Sequence, residues 1–408
     1  MASSVPAPLL FHPLRSDEDA PHHALLHARS TTTFAWGLLQ GRLAHLAPEP
    51  AQAFGFGLVR LALNDALTMS GFTGAADWLP AWFSGLRPPL CATTHVAAPA
   101  APLADAVLGA LTRARWEPLA LAAQQIQGAA RYDRGIDSIE ATARIAEIIA
   151  AAERLASLAH ARVEADDDEN VWPLSALGHL HDLAAATLEF APQARERAVT
   201  VGPAGPVGFD LAAPPPSLWA LDHWASGQTA PAAPGITPLP LPGTVRAEAL
   251  RPYLWPRERA ILVAQGMTHA VSRLSGLLDI ALAASRDCER NLHAARSTSR
   301  APALYRVLRG FGPLRPVQIA SMLGVTKGGA REIVSALCEA GLAKVRIEAG
   351  RRMIDAAERP AVTAEKVTGF EYAAEGSADG DSALAAFDAA LADIDQLLER
   401  LNRSSVDN

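Results

Sequence analysis

The chain has 408 residues, 50% of them apolar, 19% charged and 6% aromatic, and a formal net charge of -7 from 36 basic and 43 acidic residues. The apolar share excludes wholesale disorder, and the acidic balance excludes an overall electrostatic grip on nucleic acid. Abundant alanine, which loses no side-chain entropy in a helix, points to a mainly α fold.

Cys91, Cys288 and Cys338 lie far apart, which suggests neither a disulfide framework nor a cysteine-based zinc site and fits a reducing compartment. No apolar run reaches the ~18 residues of a membrane span, and the first residues lack a signal-peptide pattern. The expectation is a cytoplasmic protein with no membrane partner.

In chain order, residues 1–92 read as a first helical region, with helices expected over Thr31–Leu46, Ala51–Met69 and Ala75–Phe83, punctuated by Gly71, Gly74 and the Pro88-Pro89 pair. A Pro/Ala stretch from Thr93 to Pro102 leads into a second helical region, 93–190. Its clearest helix runs from Asp137 to Val163, with Ile139, Ala143, Ala146, Ile149 and Leu155 at helical spacing. The acidic run Asp166–Glu169 lacks the glycine and distal glutamate of a calcium loop and reads as a solvated loop.

Residues 191–243 hold 11 of the 30 prolines, the mark of an extended, semi-rigid connector. Inside it the island SLWALDHW, Ser217 to Trp224, carries two tryptophans too costly to leave in water, so it is expected to dock on a helical region.

Residues 244–300 contain a long helix opened by Pro256. Val263, Met267, Ala270, Leu274, Leu277, Ala281, Ala284 and Cys288 step by fours and threes, a stripe that suits either its own domain or a second copy of itself. After an acidic loop, residues 361–408 offer a last amphipathic helix, Ser382–Asn402, with the same two options. A homodimer through the long or the C-terminal helix is therefore expected as one of two outcomes.

Residues 301–360 carry the most informative pattern. Leu304, Val307 and Leu308 give a first helix, ended by Gly310, Gly312 and Pro313; Pro316 opens a second, apolar at Val317, Ile319, Ala320 and Leu323. Gly324 supplies a turn, and Thr326 is a good N-cap for a third helix that buries Ala330, Ile333, Val334 and Leu337 and stops at Gly341. A short hairpin then turns around Ala349-Gly350. This is the order of a winged helix-turn-helix with a small β-hairpin wing.

The segment 302–357 carries nine basic and four acidic residues, a local +5 on a chain whose remainder is -12. That asymmetry suits double-stranded DNA, whose phosphates supply most of the affinity. Thr326, Lys327, Gly328, Arg331 and Ser335 are the candidates for base edges in the major groove. Arg315, Arg351 and Arg352 suit phosphate or minor-groove contact. The alternative is a protein-interaction or scaffold role in which this module contacts protein.

The stretch IASMLGVTKGGAREIVSALCEAGL, residues 319–342, resembles the winged helix-turn-helix of MarR-like bacterial regulators. The whole layout, with LNDALTMSGF, HLHDLAAATLEF, ALDHW, the long helix and the final module, resembles an uncharacterised rhizobial plasmid-type family that pairs a domain of unknown function with a C-terminal helix-turn-helix. The resemblance implies a DNA-binding regulator and brings no catalytic residues with it.

An enzyme reading finds no Walker A loop, dinucleotide fingerprint, nucleophile elbow or His-Glu-x-x-His. His179, His181 and Asp182 form a tempting cluster, but residues two apart on a helix face different ways. No catalytic residue, metal ligand or cofactor is nominated.

Overall fold

The computed structural model describes residues 20–89, 99–133, 138–165, 174–191, 193–202, 205–213, 217–228, 236–251, 254–292 and 299–357. Among them are twelve α-helices and four strands, and no helix long and apolar enough to cross a membrane. The chain divides into one compact unit, Met1–Ala357, and a second, Glu358–Asn408. The expected helix Ser382–Asn402 and the acidic run Asp166–Glu169 lie outside the described residues.

The helical body comprises α1 (Ala20–Ala44), α2 (Pro48–Met69), α3 (Ala75–Phe83), α4 (Ala100–Leu111), α5 (Glu117–Ala129), α6 (Ser138–Ala165), α7 (Leu174–Ala185), α8 (Leu218–Gln228) and α9 (Pro256–Asn291). The Pro/Ala stretch expected as a separator gives way at Ala100 to α4, whose Pro102 sits in the first turn, where a missing N–H costs nothing. α2 is the hub, packed against α4, α5, α8 and α9. Its Phe54-Gly55-Phe56-Gly57 run buries both rings and lets neighbours come close. A Cβ on Gly55 would stand 2.7 Å from the Pro118 carbonyl oxygen, and one on Gly57 3.2 Å from Leu277 Cδ2.

α9, about 54 Å long at 1.5 Å per residue, turns its stripe inward. Val263, Met267, Ala270, Leu274, Ala281, Ala284 and Cys288 are buried, with Leu277 packed beside them, against α1, α2 and α7. Arg273 clamps Asp65 of α2 with two bonds of 2.7 Å, and the Thr32 hydroxyl of α1 bonds that of Thr268 at 2.7 Å. The seam open in principle to a second copy is thus filled by the chain's own helices.

α6 shows a different face from the expected one. Ile139 is 84% exposed, and Ile145, Ile148, Ala152, Ala156 and Ala159 are buried along with Leu155. An alanine-rich helix offers two apolar rows, and the ion pairs of Arg144 with Glu147 and Glu189 mark the outer one.

The proline-rich segment is not simply an extended connector. β1 (Gln193–Gly202) pairs antiparallel with β2 (Gly205–Ala213); the prolines fall mostly at the ends of these elements, and the stretch between holds alternating Ala, Val and Phe that suit a ladder. The tryptophan island becomes α8, docked on α6 and α2 with Leu218, Trp219 and Leu221 buried. Beyond it Leu239 and Leu241 are buried, and Thr237 exchanges two bonds with the Gln40 amide. The buried Asp222 carboxylate accepts from the backbone N–H of Gly243 at 2.7 Å and of Val245 at 2.8 Å.

The last described elements are α10 (Ala301–Gly310), α11 (Pro316–Leu323), α12 (Lys327–Glu339), β3 (Ala343–Glu348) and β4 (Arg351–Ala356). α10 packs on α2 and α9, and α11 on α5, so these two helices belong to the body's core. α12 packs on α10, α11 and β3. β3 and β4 pair antiparallel from Ala343↔Ala356 to Glu348↔Arg351. Ala349 and Gly350 between them both have positive φ, 47° and 71°, as a two-residue hairpin turn with the strands' right-handed twist requires.

Candidate nucleic-acid interface

Three helices and a hairpin are held together by few local rules. Gly324, at φ 62°, ends α11 in the left-handed conformation that only glycine adopts cheaply. Thr326 then caps α12, its hydroxyl oxygen accepting from the Gly329 N–H at 3.1 Å. Ala330 and Leu337 are buried, Ile333 and Val334 half-buried, so one side of α12 is anchored and the other faces outward. Ahead of α11, Leu314 forms a two-bond antiparallel bridge with Ile354 of β4, 3.0 and 2.8 Å, which fixes the hairpin against the start of the second helix.

The outward face of α12 carries Lys327, Gly328, Arg331, Glu332, Ser335 and Glu339, all exposed. Its positive charge sits in the first turn. Neither Lys327 nor Arg331 forms an ion pair among the described residues. Ser335 is turned along its own helix, its hydroxyl donating to Glu339 Oε1 at 2.9 Å. Gly328 is not demanded by packing: a Cβ there would meet only Thr326 Oγ1, at 3.7 Å.

Arg351 and Arg352 are exposed at the tip end of β4, likewise without ion pairs among the described residues. Arg346, on the facing strand, is engaged by Glu348 at 3.0 Å. The structure therefore brings Lys327, Arg331, Arg351 and Arg352 to exposed positions on the outward part of the module.

Arg315 stands apart from that set. It is half-buried, and its guanidinium donates to the Ser84 carbonyl at 3.0 Å, at the end of α3. Beside it the Gln318 amide is fully buried and fully used. Its oxygen accepts from the Arg315 N–H and the Ser84 hydroxyl, and its NH2 donates to the Phe83 and Ala129 carbonyls. The residue expected at a phosphate is a strut between module and body.

Sequence reasoning missed this junction. Gly310 lets α10 lie directly on α2, since a Cβ there would meet Ala53's carbonyl oxygen at 2.5 Å and the Phe56 Cβ at 2.7 Å. Phe83 of α3 meets Phe311 edge-on, centroids 4.8 Å apart. Arg60 of α2 is half-buried beneath the module near Asp355, and burial lowers its pKa against that carboxylate's opposing pull. The only sequence signal was the polar glutamine inside an apolar second helix.

The His179, His181, Asp182 cluster splits as helical geometry requires. His181 is fully buried, its Nδ1–H donating to the Leu177 carbonyl at 2.6 Å, and burial pushes its pKa down to about 4. Asp182 faces the other way and pairs with Arg259 of α9.

Comparison with protein-family models, curated proteins and solved structures finds no match for this chain.

Proposed function

We propose that this protein binds double-stranded DNA and acts as a transcriptional regulator in the cytoplasm, with residues 299–357 serving as a winged helix-turn-helix. The observation that carries the reading is the placement of four cations without ion pairs among the described residues, Lys327, Arg331, Arg351 and Arg352, on the exposed part of a helix–turn–helix–hairpin whose other helices are sunk in the body. α12 would enter the major groove by its first turn, where Thr326, Lys327, Gly328 and Arg331 stand, and Ser335 one turn further on. The hairpin cations would lie along the phosphates.

Dimerisation would rest on the C-terminal segment, because the apolar stripe of α9 is already covered. Two copies would then address half-sites about 34 Å apart.

A second reading is favoured by one observation. Val345 and Ile347 on β3 are exposed, Ile347 at 67%, a costly display on a hairpin and a foothold for a protein partner.

Fluorescence anisotropy across a salt series, with random-sequence and genomic upstream DNA, tests the first reading. Wild type should show a steep dependence of affinity on salt, and a Lys327→Ala, Arg331→Ala double variant should flatten it by about two units of slope. Absence of binding at low salt overturns DNA binding and leaves the hairpin as a protein contact.

A further inference from the structure

A cavity of about 200 Å³ opens between α1, α7 and α9, far along the chain from the module just described. α7 lines it with Ser175, Gly178, His179 and Asp182, the spacing of a single helical face. α9 contributes Ala260, Val263 and Ala264, again one face, and α1 contributes Arg29. One wall is apolar, Leu174 with the three α9 residues, and the other is polar.

The charges there do not cancel. Asp182 is matched by Arg259, which also donates to the Ala249 and Arg251 carbonyls. Arg29 forms no ion pair or hydrogen bond among the described residues. The Ser175 hydroxyl oxygen is out of solvent contact and has no hydrogen-bond partner among the described residues, a state that ordinarily means a polar group belongs beside it. Gly178 leaves the floor open, since a Cβ there would have nothing within 4 Å.

We propose that this cavity binds a small organic anion, a monocarboxylate with a short apolar tail. The Arg29 guanidinium takes the carboxylate through its planar fork. The Ser175 hydroxyl, swung toward the cavity by a change of its χ1 rotamer, donates to the same group, and the tail lies on Leu174, Ala260, Val263 and Ala264. The volume corresponds to about seven waters at ~30 Å³ each, below the roughly 300–1,000 Å³ of drug-sized pockets, so the ligand is of metabolite size. The site owes nothing to the DNA-binding reading and stands or falls separately from it.

The test is thermal denaturation and calorimetry of the full chain with butyrate, hexanoate and phenylacetate, against hexanamide and phenylacetamide at matched ionic strength. At least one carboxylate is expected to raise Tm by a few degrees, saturably and at millimolar concentration or below, while its amide does not. Arg29→Gln, on an exposed position, should keep the unliganded Tm and weaken binding by ~10-fold or more. Gly178→Met should fill the floor and abolish binding without changing charge. The proposal is overturned if no carboxylate shifts Tm, if amides protect equally, or if both variants bind as wild type does.

Discussion

The Ser84 hydroxyl donates to the buried Gln318 amide oxygen at 2.8 Å, joining the end of α3 to the second helix of the outward module across 234 residues of sequence. All four hydrogen-bonding positions of that amide are used, and inside an apolar core such a network is worth more than its separate bonds. Gln318→Ala would leave the Ala129 carbonyl and the Ser84 hydroxyl without their partner and the Phe83 carbonyl with only the Arg131 N–H at 3.0 Å. A loss of about 2–4 kcal/mol in urea unfolding is expected. Gln318→Glu should be no better, because its carboxylate would face the two carbonyls that the amide NH2 now satisfies.

Two glycines in helices separate close approach from mere permissiveness. At Gly310 a methyl group would collide with backbone of α2 at 2.5 and 2.9 Å, which cannot move as a side chain can. Gly310→Ala should cost several kcal/mol, on the order of an overpacked core or worse. Gly276, in the middle of α9, has nothing within 4 Å of the place a methyl group would take. Gly276→Ala should raise stability by about 0.5–1 kcal/mol, so the pair of Tm shifts should differ in sign.

The difference between those glycines marks what sequence can and cannot reveal. Local rules were legible: the buried stripe of α9 from Val263 to Cys288 agrees with its 4-3 spacing, Thr326 caps α12, and Ala349-Gly350 makes the hairpin turn. Choices decided by partners were not. α6 had two apolar rows, and only the packing of α7 and α8 against it selects the one through Ile145 and Ile148. Arg315 looked like any basic residue ahead of a helix until the Ser84 carbonyl stood beside it. The cavity beside α7 was out of reach for the same reason, since it gathers residues from three helices distant in sequence.

Two buried groups give stability opposite slopes with pH. His181 titrates at about 4 when folded against 6.5 in the open chain, so the unfolded state takes the proton first and stability falls as pH drops from 6.5 toward 4. Asp222 is pushed up to about 7 from 3.8 by burial and by the nearby Asp65 charge. Its folded state holds a proton that the unfolded state has released, so its contribution falls as pH rises from 4 toward 7. The two partly cancel in wild type. Asp222→Asn should unmask the histidine and make the urea midpoint drop more steeply in acid. His181→Gln should flatten it over the same window, because His223, also pushed down to about 4 by burial, remains to oppose Asp222. Parallel curves for wild type and both variants would refute the assignment.

The hairpin cations and Arg315 make the sharpest functional contrast, because sequence grouped them and structure separates them. Arg351 and Arg352 are exposed and carry no ion pair among the described residues, so each is free to displace counterions from a phosphate. Replacing either by alanine should lower the salt slope of DNA binding by about one unit and weaken random-sequence and specific DNA alike. Arg315 is held by the Ser84 carbonyl beside the buried Gln318 amide. Arg315→Ala should lower Tm, because it removes a charge-assisted bond at a half-buried junction, and leave the salt slope of the folded protein unchanged. A slope that falls by a full unit in Arg315→Ala would put the N-terminal end of α11 at the phosphates after all and move the docking face from the hairpin toward the body.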